Sequence, residues 1–243
     1  MPVGGSEPKY RRILLKLSGE SLLGEKGFGI DVNFITKVAQ VLIDLHNQNV
    51  QIAIVVGGGN IWRGKDGVAL GMDKVNADYM GMLATCMNGL ALQTVIEKMG
   101  TPTRLQTAIA MHQLAEPYIQ RKAIRHLEKG RIVIFAAGTG NPFFSTDTSA
   151  ALRAAEIKAD CLMKATKIDG IYTDDPAKNH DSKKLEHVTY TDILAKNLQV
   201  MDGAAVAICR ENNIPIVVFS LVDPANIIKV VYGEEIGSTV NGG

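Results

Sequence analysis

Short apolar, β-branched runs alternate along the chain with longer stretches of helical period. Ile13–Leu17, Gln51–Val56, Thr103–Gln106, Arg131–Ala136, Cys161–Lys164 and Ile216–Phe219 have the composition of buried strands. Between the first two, Asp31 is placed to cap a helix whose apolar positions Phe34, Ile35, Val38, Val41, Leu42 and Leu45 recur at spacings of one, three and four. Similar patterning predicts helices over Asp78–Met99, Ile119–Glu128, Thr146–Ala159 and Asp202–Asn212. Strands joined by crossover helices make βαβ units, so the expected fold class is α/β, an open and mainly parallel sheet covered on both faces. Lys167–Tyr190 breaks this rhythm with Asp169-Gly170, Asp174-Asp175-Pro176 and a polar run through Lys184, and is expected to be a surface excursion containing a short hairpin. Met1–Pro8 offers nothing to bury and is expected to be a disordered extension ahead of a single domain, 9–243.

Composition narrows the function classes. The 243 residues include 26 Lys+Arg against 25 Asp+Glu, a net charge of +1 that gives no overall pull toward nucleic acid or membrane. An anion site must therefore be local. Cys86, Cys161 and Cys209 lie far apart and read as reduced core residues, while the histidines show no metal-ligand spacing. With neither a signal-peptide pattern nor a run of about 18 apolar residues, the chain is expected to be cytoplasmic.

In open α/β sheets ligands bind beyond the carboxyl ends of the strands, and three loops there carry glycine and polar groups. In the first, Lys16-Leu17-Ser18-Gly19, a lysine ends a strand and enters a Ser-Gly turn. It reads either as a phosphate contact with backbone N–H groups beside it or as a surface lysine before an ordinary turn. The second, Gly57-Gly58-Gly59-Asn60-Ile61-Trp62-Arg63-Gly64, places three glycines where backbone must approach a ligand or turn through positive φ. Gly59 to Lys65 has Walker A spacing, but Asp66 stands where Ser or Thr should hold magnesium, which excludes that motif. The third, Gly138 to Asp147, combines turns, hydroxyls, an amide and two phenylalanines ahead of a helix N-terminus. It suits a polar, phosphorylated ligand, and its plainer reading is a capped loop with Phe143 and Phe144 in the core.

Taken together, Lys16–Gly19, Gly57–Asn60 with Arg63, Met80–Thr85, Gly138–Asp147 and Lys164 through Asp175-Pro176 resemble the amino acid kinase family in its bacterial UMP kinase branch, from about Lys9 to Gly237. The resemblance implies a three-layer α/β/α sandwich, a homohexamer, and transfer of phosphate from Mg-ATP to UMP. It assigns Lys16, Leu17, Ser18, Gly19, Gly59 and Arg63 to the ATP phosphates, and Thr166, Tyr172 and Asp175 to the ATP nucleoside. Gly58, Asp78, Thr139, Gly140, Asn141, Pro142, Phe143, Phe144, Ser145 and Thr146 would hold UMP. Asp78 is expected to open its helix and receive ribose hydroxyls, against the plainer reading of a surface carboxylate. Lys16 and Lys164 form the expected phosphoryl clamp, with Arg63 assisting and Asp147 orienting the lysines. Asp202 reads equally as a residue positioning a lysine and as an N-cap. The resemblance also implies control by GTP as activator and UTP as inhibitor, with Gly24, Glu25, Lys26, Gly27, Phe28 and Gly29 in the loop associated with GTP activation and Arg104 and Arg131 as effector-phosphate contacts between subunits. Magnesium is expected to arrive on ATP, with no resident metal site. Two alternatives keep the fold: a kinase for a carboxylate or carbamate, and a non-catalytic nucleotide- or oxyanion-binding protein.

Overall fold

The computed structural model describes residues 7–24, 26–174, 176, 178–179, 181–196, 198 and 200–242. Its strands are β1 (Arg12–Leu17), β2 (Gln51–Val56), β3 (Thr103–Thr107), β4 (Glu116–Pro117), β5 (Ile132–Ala136), β6 (Cys161–Thr166), β7 (Ile171–Tyr172), β8 (Lys184–Leu185), β9 (His187–Thr189), β10 (Ile216–Ser220) and β11 (Ser238–Asn241). The helices are α1 (Val32–His46), α2 (Gly64–Ala69), α3 (Lys74–Lys98), α4 (Gln120–Glu128), α5 (Thr146–Glu156), α6 (Tyr190–Lys196), α7 (Gly203–Glu211) and α8 (Asn226–Val231), with a 3-10 turn over Gly19–Leu23.

Nine strands form one sheet in the order β4-β3-β5-β2-β1-β6-β10-β11-β9, while β7 and β8 pair separately. The pairings in the large sheet are parallel except β10 with β11. One apolar layer packs Ile13, Leu15 and Leu17 of β1 with residues of α1, α3 and α8. The opposite layer packs Leu14 with residues of α4, α5, α6 and α7. Helices therefore cover both faces, as the alternation along the chain predicts. The expected hairpin within Lys167–Tyr190 is the antiparallel β7–β8 pair.

Asp31 caps α1 by accepting from Asn33 N and Phe34 N. Helix α3, however, begins four residues before the expected Asp78. Asp73 is its N-cap, accepting from Val75 N and Asn76 N, so Asp78 sits one turn inside the helix. Of the expected disordered extension, Met1–Ser6 lie outside the described residues, and Lys9 N already donates to Val231 O at 3.0 Å. Among the described residues no helix is long and apolar enough to cross a membrane.

Candidate active site

Strand alternation aims the charged centre. Ile13, Leu15 and Leu17 face the α1/α3 layer, so Lys16 shares the face of Leu14, which packs toward α5 and α7. The same holds on β6, where Cys161, Met163 and Ala165 face one layer and Lys164 shares the face of Leu162. β1 and β6 are parallel neighbours in a register that puts Lys16 directly beside Lys164. Like charges in that position repel. Asp147, in the first turn of α5, answers both: its Oδ1 lies 2.9 Å from Lys16 Nζ and its Oδ2 accepts from Lys164 Nζ at 2.8 Å. Lys164 Nζ also donates to Val200 O. Burial opposes ionisation of Asp147, but the two ammonium groups outweigh it and hold the carboxyl below its ordinary range. Lys164 is shifted down, chiefly by burial, with Asp147 opposing and Lys16 adding to the shift.

The glycine loop owes its composition to close approach rather than to left-handed backbone. Gly57, Gly58 and Gly59 are absent from the positive-φ residues. A Cβ on Gly58 would lie 2.7 Å from Gly81 O and 2.9 Å from Ala84 Cβ, and one on Gly57 would lie 2.8 Å from Gly19 N. The loops after β1 and β2 and the side of α3 are thus in backbone contact. Positive φ appears instead in the loop after β5, at Ala137, Gly138, Gly140 and Phe143.

That loop and α3 enclose a cavity of about 280 Å³ lined by Gly58, Asp78, Thr139, Phe144, Ser145 and Thr146 among others. Gly140, Asn141, Pro142 and Phe143, expected at the same ligand, do not line it. Phe143 and Phe144 are exposed, against the reading that places them in the core. Asp78 joins the two walls: it pairs with Lys74 on its own helix, and its Oδ2 accepts from Phe143 N at 2.8 Å. Burial opposes its charge, but these partners lower its pKa. Ser145 caps α5, accepting from Asp147 N and Thr148 N. Thr85 Oγ1 accepts from Ala137 N at 2.7 Å, fixing the start of the loop to α3.

On the other side of β1 in the sheet, a larger cavity of about 720 Å³ is lined by Lys164, Thr166, Tyr172, Thr173, Leu198 and Val200 among others. Tyr172 Oη donates to Asp169 Oδ1 at 2.7 Å. Asp175 and Glu25 lie outside the described residues. Lys16, Leu17, Ser18 and Gly19 line neither cavity; the end of β1 stands between them in strand order. Gly59 and Arg63, expected on the ATP side, border the smaller cavity. Arg63 pairs with Glu20 of the 3-10 turn.

The two readings of Asp202 separate cleanly. It is the N-cap of α7, with Oδ1 accepting from Ala205 N at 2.9 Å, and its carboxylate also accepts from the Ser145 and Thr148 hydroxyls. Its charge acts on Lys164 through space, with no direct ion pair between the two. The residues expected at an effector site divide into two distant groups. Gly24, Lys26, Gly27, Phe28 and Gly29 follow β1 near the carboxyl end of the sheet, whereas Arg104 and Arg131 lie at the start of β3 and β5. Arg104 pairs with Glu97 and Glu116, and Arg131 bonds His126, which bonds Glu116 in turn.

Trp62, Gly81, Met82 and Thr85 also line the smaller cavity, beyond the positions assigned to it from sequence. A hydroxyl and an amide, Thr85 and Asn88, set among apolar residues of one long helix were the available signal.

A profile of the amino acid kinase family matches residues 11–220. The fold superposes on the UMP kinase of Bacillus anthracis with a TM-score of 0.91 at 36% identity, covering 96% of each chain. On the UMP kinase of Ureaplasma parvum the TM-score is 0.89 at 36% identity, covering 96% of this chain and 99% of that one. The uridylate kinase of Archaeoglobus fulgidus gives 0.73 at 28% identity, covering 94% and 99%.

Proposed function

This chain belongs to the amino acid kinase family, and from that premise we propose that it transfers the γ-phosphate of ATP to UMP, giving UDP and ADP. The observation that carries the reading is the Lys16–Asp147–Lys164 cluster, set between a compact cleft and a larger cavity along the carboxyl edge of the sheet. Phosphoryl transfer asks a protein to align two reactants and oppose the charge on the migrating group. A phosphate oxygen of UMP attacks the γ-phosphorus, the bond to the β–γ bridging oxygen breaks, and ADP leaves with that electron pair. No general base is required, because the attacking phosphate is already anionic.

In this reading UMP occupies the smaller cavity. Asp78 accepts from ribose hydroxyls, and Thr139, Ser145 and Thr146 present polar groups near the N-terminus of α5. ATP occupies the larger cavity, with Tyr172 against the base and Thr166 beside the nucleoside. The backbone of Ser18 and Gly19 meets its phosphates, and Arg63 reaches the acceptor side of the same centre. Asp147 orients the two lysines. Among the described residues no group of three His, Cys, Asp or Glu side chains is placed to hold a metal ion, and Asp147 already faces two cations. These residues fit magnesium carried by the donor phosphates, where it would neutralise their charge.

Tyr79, Leu83 and Met87 form an exposed apolar stripe on α3, at 40%, 50% and 55% exposure, and this is the face assigned to contacts within a homohexamer. Sedimentation measures that assembly. Control by GTP and UTP belongs to the same reading; an activity titration with each, across UMP concentrations, tests it. The central experiment incubates the protein with Mg-ATP and UMP, CMP, aspartate, glutamate or carbamate in turn and measures ADP release. UMP is expected to give the dominant turnover. Strong turnover with another acceptor displaces UMP, and none with any acceptor favours a binding protein.

A further inference from the structure

A buried amide pair sits behind the glycine loop. Asn60 and Asn88 are 3% and 0% exposed. Asn60 Nδ2 donates to Asn88 Oδ1 at 2.9 Å and to Gly29 O at 2.8 Å. Asn88 Nδ2 donates to Asn60 Oδ1 at 2.7 Å and to Gly57 O at 2.7 Å. A primary amide has two N–H donors, so every donor in the pair is used, and each amide oxygen accepts from the other residue. Gly29 N completes the link by donating to Asn60 O at 3.1 Å.

The pair ties together three segments that lie far apart in sequence. Gly57 and Asn60 begin and end the glycine loop, Gly29 closes the loop that precedes α1, and Asn88 lies on the helix that supplies Asp78, Met82 and Thr85 to the smaller cavity. Asn60 also presses on the loop after β1: a Cβ on Gly19 would lie 2.7 Å from Asn60 Oδ1. The chemistry at this point is specific. An aspartate would bring a carboxylate against a backbone carbonyl, a leucine would leave Gly57 O or Gly29 O without its donor, and a glutamine would be a methylene too long for a closed reciprocal pair.

We infer that Asn60 and Asn88 are positioning residues for phosphoryl transfer, fixing the glycine loop against α3 and Gly29 so that both substrates meet the lysine pair in line. This rests on the proposed kinase reading. Neither side chain lines the cleft, so both act through the backbone they hold.

The test compares Asn88→Ala with Leu92→Ala, a fully buried change one turn further along the same helix that leaves the amide pair intact. Misplacing aligned reactants by about 1 Å costs on the order of 100-fold. Asn88→Ala is therefore expected to lower kcat by ~10- to 100-fold, with Leu92→Ala within about threefold of the parent at a temperature where both are folded. Amide hydrogen exchange should accelerate in Asn88→Ala at both 57–60 and 29–30. The Asn60→Ala/Asn88→Ala double variant should lose less than the two single losses combined, because the reciprocal bonds break only once. Equal losses in the Asn88 and Leu92 variants, additive losses in the double variant, or exchange that accelerates only within α3 would each overturn the assignment. If Asn88→Ala does not fold, Asn88→Ser, which keeps one donor, is read in its place. If the parent protein fails to phosphorylate UMP, the kinase reading falls, while the exchange pattern still decides the positioning role.

Discussion

The two cavities beside the lysine pair are held by different kinds of contact. Around the smaller one, the loop after β5 is fixed to α3 by Thr85 and Asp78, the loop after β2 by the Asn60–Asn88 pair, and Gly58 rests on α3 with no room for a methyl group. Around the larger one, Tyr172 and Lys184 share Asp169 at the surface, with Asp169 side chain 55% exposed. Thr85, Asn60 and Asn88 are buried and paired, which holds a geometry, whereas the Asp78 bond to Phe143 and the Asp169 pairs lie at the surface and contribute less to it. On the proposed assignment of the two cavities, discrimination of the acceptor is built on the more tightly held side and the donor enters against the looser wall.

The largest effect should come from the lysine cluster that stands between the two cavities in strand order. Lys16→Ala is expected to lower kcat by ~10³-fold or more with UMP binding largely kept, measured by steady-state kinetics and UMP titration. Near-normal turnover would dissolve the idea of a shared clamp. Asp147→Asn should follow, with kcat down by ~10²-fold and about 3 kcal/mol of stability lost, because two buried ammonium groups would face each other unopposed. Denaturant unfolding beside the rate assay separates the two losses.

The next two variants address the sides themselves. Asp78→Ala should raise KM for UMP by ~10- to 100-fold, since hydrogen bonds to a charged group are involved, with KM for ATP within about twofold of the parent. Tyr172→Ala should do the converse at smaller scale, raising KM for ATP by ~3- to 10-fold through lost ring contact. Crossed effects would mean the cavities have been assigned the wrong way round.

The mildest probe is pH. Lys164 is shifted below its ordinary value of 10.5 in the free protein, so kcat/KM should fall on an alkaline limb below that value, and the limb should vanish in whatever activity Lys164→Arg retains. Stability moves oppositely. Between the folded and unfolded pKa values the unfolded chain binds more protons at this site, so its contribution to stability rises with pH in that window. Asp147 acts at the other end: its contribution is present above its ordinary 3.8 and is lost as pH falls through the depressed folded value.

Much of this arrangement is legible in sequence, for identifiable reasons. The strands of the sheet centre are short, apolar and β-branched, and their carboxyl-end loops announce themselves by glycine, as at Gly57–Gly59. Lys16 and Lys164 stand out as charges ending apolar runs. Their adjacency does not, because it depends on β1 pairing with β6 across the whole of the intervening chain. The start of α3 is obscured because the helix is apolar around much of its circumference, so no polar face marks its first turn; Asp73 caps it by accepting from Val75 N and Asn76 N. β9 and β11 have three and four residues, too few for a period to show. The amide pair is invisible for the same reason as the lysines: Asn60 and Asn88 become partners only once a loop and a helix meet.

The register that sets Lys16 beside Lys164 has one more consequence. With Asp147 as their shared ion-pair partner, two ammonium groups meet one carboxylate, and the Asp202 carboxylate acts on Lys164 only from farther away. On the proposed reading, an arriving phosphoryl group supplies the further counter-ion of an incomplete salt lattice. The fold and the reactant finish each other, and the protein should be most tightly knit at the moment when the phosphate belongs to neither nucleotide.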